Sequence, residues 1–132
     1  YARDYTENLM GKESGGVVHI AAARSEIKDI MWGCGAIVRS EDRCKQGLAR
    51  LDAIDKSFNP MAHYDAGIDI KQVSKLRSFI GIARLLLTVM EFRKESRGPH
   101  FRMDYPQTSE EYNGAIVVQS RNGKTSLELV EF

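Results

Sequence analysis

At 132 residues the chain has the length of one domain, with 42% apolar residues to build a core and an ordinary 28% of charged ones. Nineteen Lys and Arg against eighteen Asp and Glu give a formal charge of +1, which removes the basic excess expected of a nucleic-acid binder. No apolar run nears the ~20 residues that cross a bilayer, and the chain opens at Tyr1 with no basic-then-apolar leader, a start expected of a processed product or, in preference, of a segment cut from something longer.

The first sixteen residues are polar and close on Ser14-Gly15-Gly16, which reads as a frayed lead-in. Ile20, Ile27, Met31 and Cys34 then recur at helical spacing and predict a first helix over 17–34, closed by Gly33 and Gly35. Ala36-Ile37-Val38-Arg39 reads as a connector. Ser40 is a candidate N-cap, with Glu41 and Asp42 in the first turn, and Cys44, Leu48, Leu51, Ile54 and Phe58 carry a second helix over 41–58. Asn59-Pro60 should stop it, leaving Met61 to Gly67 as a loop.

The third predicted helix, 69–97, is the longest. Val73, Leu76, Ile80, Ala83, Leu87 and Met90 form one stripe; Phe79, Ile82, Leu86 and Val89 form a second beside it. A helix with two apolar faces is either central and covered by its partners, or keeps one face for another domain. Residues 98–113 are polar, aromatic and punctuated by proline, hence an ordered loop. Strand-like runs flanking Arg121-Asn122-Gly123-Lys124 then predict a hairpin over 115–131. The fold class is mainly α: three helices with a short C-terminal β-hairpin.

Chemistry-bearing residues concentrate between Arg93 and Pro106, where three arginines, one histidine and one aspartate follow a predicted helix end. As a site, Arg97 and Arg102 would clamp a carboxylate or phosphate, and His100 with Asp104 would form an oriented acid–base pair. As structure, the cations would cap the last carbonyls of the third helix and pair with Glu95 and Asp104. The structural alternative is favoured, because charges at helix ends are common. Other candidates are weaker. Gly33-x-Gly35 lacks the third glycine and the preceding strand of a dinucleotide fingerprint. His19 and His63 have no metal-ligand partner at helical spacing, and Ser96 near His100 is not in a nucleophile-elbow context. Trp32 reads as core or interface filler. Cys34 and Cys44 read as reduced buried thiols of a cytoplasmic protein, a disulfide between them being the minor alternative, with no CxxC pair to signal zinc.

The run Arg93-Lys94-Glu95-Ser96-Arg97-Gly98-Pro99-His100-Phe101-Arg102-Met103-Asp104-Tyr105-Pro106 resembles the R-x-E-S-R-G-x-H-x-R-x-D-x-P signature of a flavoprotein family. That family holds the flavoprotein subunits of succinate dehydrogenase and fumarate reductase together with L-aspartate oxidase. Met31-Trp32 followed by Ile37-Val38-Arg39 resembles a second, upstream motif of the same family. Ala36 stands where that motif has glycine, and Pro99 where the signature has a small or aliphatic residue.

The resemblance implies a C-terminal, spectrin-repeat-like three-helix module, spanning 1–132 as one helical domain after FAD-binding and capping domains. It implies FAD in the parent polypeptide and none bound by this chain alone, a C4 dicarboxylate or amino-dicarboxylate substrate, and no metal site here. Arg39, Arg93, Glu95, Ser96, Arg97, His100, Arg102 and Asp104 are then the expected docking residues. No catalytic residue is expected in this chain, His100 and Arg102 being the nearest candidates. Expected partners are the flavin and capping domains and an iron–sulfur subunit, without nucleic acid or direct membrane insertion. The expected place is the cytoplasm, or its membrane face through partner subunits. Two alternatives stand beside this reading: a stand-alone helical adaptor whose basic loop 93–106 binds anions, and a small enzyme using His100 and Asp104.

Overall fold

A computed structural model describes residues 18–121 and 124–131. In chain order the elements are α1 (Ile20–Gly35), β1 (Val38–Arg39), α2 (Glu41–Ser57), α3 (Pro60–Asp65), α4 (Ile70–Phe92), β2 (Phe101–Arg102), a 3-10 turn (Glu110–Tyr112), β3 (Gly114–Arg121) and β4 (Lys124–Glu131). Helices α1, α2 and α4 each pack on the other two. The fold is therefore mainly helical, with an antiparallel strand pair at its C-terminal end.

The core is built from one stripe of each long helix: Ala23, Ile27, Ile30 and Cys34 from α1; Leu51 and Ile54 from α2, with Phe58 just beyond it; Val73, Leu76, Ile80, Ala83 and Leu87 from α4. Steps of three and four place each set on one side of its helix, and burying them supplies the bundle's hydrophobic stabilisation. Gly47 is the small residue that lets the three helices close. A Cβ there would lie 2.7 Å from Leu87 Cδ1 and 3.0 Å from Cys34 Cβ. Both cysteines are free and buried.

Several boundaries differ from the sequence expectation. Helix α1 starts at Ile20 rather than 17, because the His19 imidazole caps it by accepting from Ala22 N at 3.2 Å. It runs through Gly33 to Gly35 rather than closing at the glycines, since neither adopts a positive φ. The expected loop 61–67 contains α3. Pro60 fits the first helical position, and Asn59 Oδ1 caps the turn by accepting from Ala62 N at 3.3 Å. Gly67, at φ 73°, ends it, with Ile68 N donating to His63 O at 3.0 Å.

Helix α4 stops at Phe92 and not at 97, for a reason that lies in the site described below. Connector and loop are also more ordered than expected. β1 and β2 form a parallel ladder, Val38 opposite Phe101 and Arg39 opposite Arg102. β3 and β4 pair from Gly114–Glu131 to Arg121–Lys124. The expected Asn122-Gly123 turn and the polar lead-in of residues 1–16 lie outside the described residues.

Trp32 does not fill the core: it is 83% exposed. Nor is α4 covered on both faces. Phe79, Ile82 and Leu86 of the second stripe are exposed, while Val89 is half-buried. Among the described residues no helix is long and apolar enough to cross a membrane.

Candidate functional site: an arginine–carboxylate corner

Where α4 ends, its last carbonyls lack intrahelical partners. Arg102 supplies them. Its Nη1 donates to the carbonyls of Met90, Glu91 and Arg93 at 2.9, 3.0 and 3.1 Å. The rest of its guanidinium makes a two-pronged pair with Asp104, Nε to Oδ1 and Nη2 to Oδ2, each 2.7 Å. Arg102 has no exposed surface, and its guanidinium stacks over the Tyr105 ring at 5.0 Å. A cation on the negative end of the helix dipole needs no continuing turn, so the chain leaves the helix at Arg93.

Asp104 does a second job at the other end of the corner. Its Oδ2 accepts from Glu41 N at 2.8 Å, adding a carboxylate to the α2 N-terminus beside the local Ser40 cap, whose Oγ accepts from Arg43 N at 3.3 Å. Bonding to Arg102 holds the Asp104 carboxyl well below the usual carboxylate range; burial opposes this and the Glu41 N–H reinforces it.

Glu95 anchors the loop. It has no exposed surface, yet it collects bonds from Arg93 Nε at 2.8 Å, Arg97 Nε at 3.0 Å and Ser109 N at 2.9 Å. Burial pushes this carboxyl up, but the bonds from Arg97, Ser109 N and Arg93 outweigh it and hold it at about 2. Ser96 Oγ accepts from Arg102 N at 2.8 Å and donates to Tyr105 O at 2.8 Å. Gly98, at φ 56°, turns the chain so that Arg97 and His100 exchange backbone hydrogen bonds.

His100 bridges the two sequence motifs. Its Nε2 lies 3.1 Å from Arg93 O and its Nδ1 2.9 Å from Arg39 Nη1. The pattern fixes a neutral ring with the proton on Nε2, donating to the carbonyl, and Nδ1 accepting from the guanidinium. Burial lowers the His100 pKa; the Arg93 carbonyl bond opposes this, and the neighbouring arginines lower it further. Arg39 also donates to Pro99 O at 3.2 Å, and its buried Nε has no hydrogen-bond partner among the described residues.

The structure therefore brings Arg39, Arg93, Glu95, Ser96, Arg97, His100, Arg102 and Asp104 into one corner, each bonded to others of the set. It does not assemble the anion clamp: Arg97 is engaged by Glu95 and Arg102 by Asp104. It does not assemble the acid–base pair either, since both His100 nitrogens are taken by Arg39 and Arg93. Tyr105, Tyr112 and Ser109 also belong to the corner, without any sequence signal of their own. Tyr112 sets its ring edge-on to Phe92 at 6.3 Å, and its backbone carbonyl accepts from Arg93 at 2.9 Å. Tyr105 stands inside the signature run and Ser109 and Tyr112 just beyond it, and only that position could have flagged them.

His63, without a metal-binding context in the sequence, is fully buried. Its Nδ1 lies 2.6 Å from Asn59 O and its Nε2 accepts from Val18 N at 3.0 Å. Its role is to tie the start of the described chain to α3. Among the described residues no group of three or more His, Cys, Asp or Glu could hold a metal ion.

Flavin binding can be tested against the same geometry. Gly33 and Gly35 lie inside α1 rather than in a strand-to-helix turn, and the arginines of the corner are engaged by carboxylates and carbonyls of the chain itself. These residues do not form a phosphate cradle for FAD.

Comparison with known proteins places this corner in context. An uncharacterized FAD-dependent oxidoreductase of Methanocaldococcus jannaschii is 31% identical over 96 residues, 73% of this chain and 18% of that protein. L-aspartate oxidase of Synechocystis is 27% identical over 113 residues, 73% of this chain and 20% of the enzyme. The chain thus spans about a fifth of the length of these curated relatives. A solved structure of a mutant E. coli quinol fumarate reductase FrdA shares the fold, with a TM-score of 0.75 and 18% identity, covering 98% of this chain and 23% of that one. The family model described as the fumarate reductase flavoprotein C-terminal region matches residues 24–131, the corner included, and the chain belongs to that family.

Proposed function

We propose that this chain is the C-terminal helical module of an FAD-dependent oxidoreductase acting on a C4 dicarboxylate or amino-dicarboxylate of the succinate, fumarate or aspartate kind. The match of residues 24–131 to the flavoprotein family carries this reading. In such a parent, hydride exchange takes place at a flavin held by other domains.

The work of the chain itself is structural. Arg102, Asp104 and Glu95 hold α4, α2 and the β1–β2 ladder in one fixed geometry. Arg97, whose side chain is 41% exposed, Phe101 and Met103 present that end outward. We assign the corner the task of seating the bundle against the flavin domain, with Arg39, Arg93, Ser96 and His100 completing its frame. The flavin and capping domains are thus the first partners, and an iron–sulfur subunit is the second; the parent is assigned to the cytoplasm or its membrane face.

Arg97→Ala in the full-length protein tests the seating. Flavin retention and thermal stability are both expected to fall, and unchanged values would overturn the assignment. Titration of the chain alone with FAD, succinate and fumarate is expected to show no binding at micromolar concentrations; saturable binding there would favour a stand-alone anion-binding module.

A further inference from the structure

A second surface, separate from the arginine corner, is unspent. Helix α4 buries one apolar stripe in the core and leaves Phe79, Ile82 and Leu86 at 37, 57 and 44% exposure. With Met31 of α1 they line a groove of about 270 Å³, and Lys28 stands at its edge. A wider cleft of about 750 Å³ shares Lys28, Met31 and Leu86 and continues the surface to Trp32, Ile37 and Val38, with Arg43 at its far side. Contiguous apolar surface of this kind marks an interaction site, and Trp32 at 83% exposure is the type of residue that anchors one.

We infer that this groove seats an apolar segment flanked by carboxylates, supplied by another part of the same longer polypeptide. The inference rests on the reading of this chain as part of a larger flavoprotein. Charge argues for the occupant's chemistry. The residues lining the two clefts include Lys28 and Arg43 and no carboxylate, and Arg24 lies over the Phe79 ring at 5.7 Å. Arg43 donates to Val38 O at 3.2 Å and Arg24 has the Phe79 ring, but neither partner carries a negative charge; acidic flanks would complement these cations and Lys28, whereas a bare apolar segment would not.

The same charges disfavour a second copy as occupant. A two-fold contact through this face would set cations of one copy against cations of the other, with no carboxylate in the lining to offset them. Length favours an intramolecular source. The relatives extend about four-fifths beyond the region matched, and a tethered segment reaches millimolar effective concentration, so a modest groove suffices.

Ile82→p-benzoylphenylalanine in the full-length protein, irradiated and mapped by peptide mass spectrometry, tests this. The expected product is an intramolecular cross-link to a peptide outside residues 1–132, with Asp or Glu beside its apolar residues. The same probe at Ala53, exposed on α2, should give no such link. Lys28→Glu should cut the yield at position 82 several-fold while Lys28→Arg retains it. A cross-link to the α4 face of another copy, no cross-link at all, or a yield indifferent to Lys28→Glu would each overturn the inference. Flavin content separates the two readings. A flavin-loaded protein without the cross-link refutes the groove assignment alone, and a flavin-free protein refutes the parent function.

Discussion

Glu95 and its two arginines show how a buried carboxylate can anchor the loop that follows a helix. A carboxylate without solvent is costly unless every lone pair is used, and here Arg93, Arg97 and Ser109 N use them. Removing the charge while keeping the shape should leave two cations poorly compensated. Glu95→Gln is expected to cost about 3 kcal/mol, read as a lower urea midpoint at unchanged m-value; a midpoint within error of the unsubstituted protein would show that the pair contributes little.

The depressed Glu95 pKa fixes the direction of a second effect. Folded, the group titrates near 2; unfolded, it titrates at about 4.3. Its contribution is therefore complete above the unfolded value and is lost as pH falls from roughly 4.3 towards 2. Asp104 acts in the same direction. Acid titration of stability should be steeper in the unsubstituted protein than in Glu95→Gln over that window, and parallel curves would contradict the assignment.

At the scale of elements, Gly33 and Gly98 have opposite roles. Gly33 sits within α1, where an added Cβ would meet nothing within 4 Å, and its φ is not positive. Gly98 has φ 56° at the turn that aligns Arg97 with His100. Gly33→Ala should therefore stabilise by up to about 1 kcal/mol through helix propensity, while Gly98→Ala should destabilise by about 1–2 kcal/mol. Thermal melts of the two variants decide it, and shifts of the same sign would refute the assignment.

This contrast also explains what was legible in the sequence. The buried stripe of α4 could be read residue by residue, because burial imposes a period that apolar side chains record: Val73, Leu76, Ile80, Ala83 and Leu87 are all in the core. Ends were harder. Asn59-Pro60 reads equally as a stop for α2 and a start for α3, and nothing local distinguishes them. The end of α4 is set by Arg102, ten residues beyond Phe92, so no window along the helix contains its cause. Arg39 was legible from the upstream motif and Arg93, Glu95, Ser96, Arg97, His100, Arg102 and Asp104 from the signature, but Ser109 and Tyr112 were not. Nor was the corner's pairing: Arg39 meets His100 only because β1 and β2 align across more than sixty residues.

At the scale of the molecule, stability and the outward surfaces belong to different parts. The bundle's core is drawn from α1, α2 and α4, and among the described residues no apolar side chain of β3 or β4 belongs to that cluster. The hairpin instead pairs Ile116 with Leu129 and Val118 with Leu127 on one face, all half-buried. A two-stranded ribbon with such a face is marginal by itself. Its apolar pairs protect each other, while Tyr112, just before β3, is tied to the helices through Phe92. Deleting residues 114–132 should therefore leave the helical melting midpoint within about 4 °C, the shift that roughly 1 kcal/mol produces in a domain of this size. Deletion from residue 110, which also removes Tyr112 and its carbonyl partner for Arg93, should lower the midpoint further. Circular dichroism melts of the two truncations measure this directly. A fall of the first as large as that of the second would place the hairpin in the stabilising core, contrary to the packing.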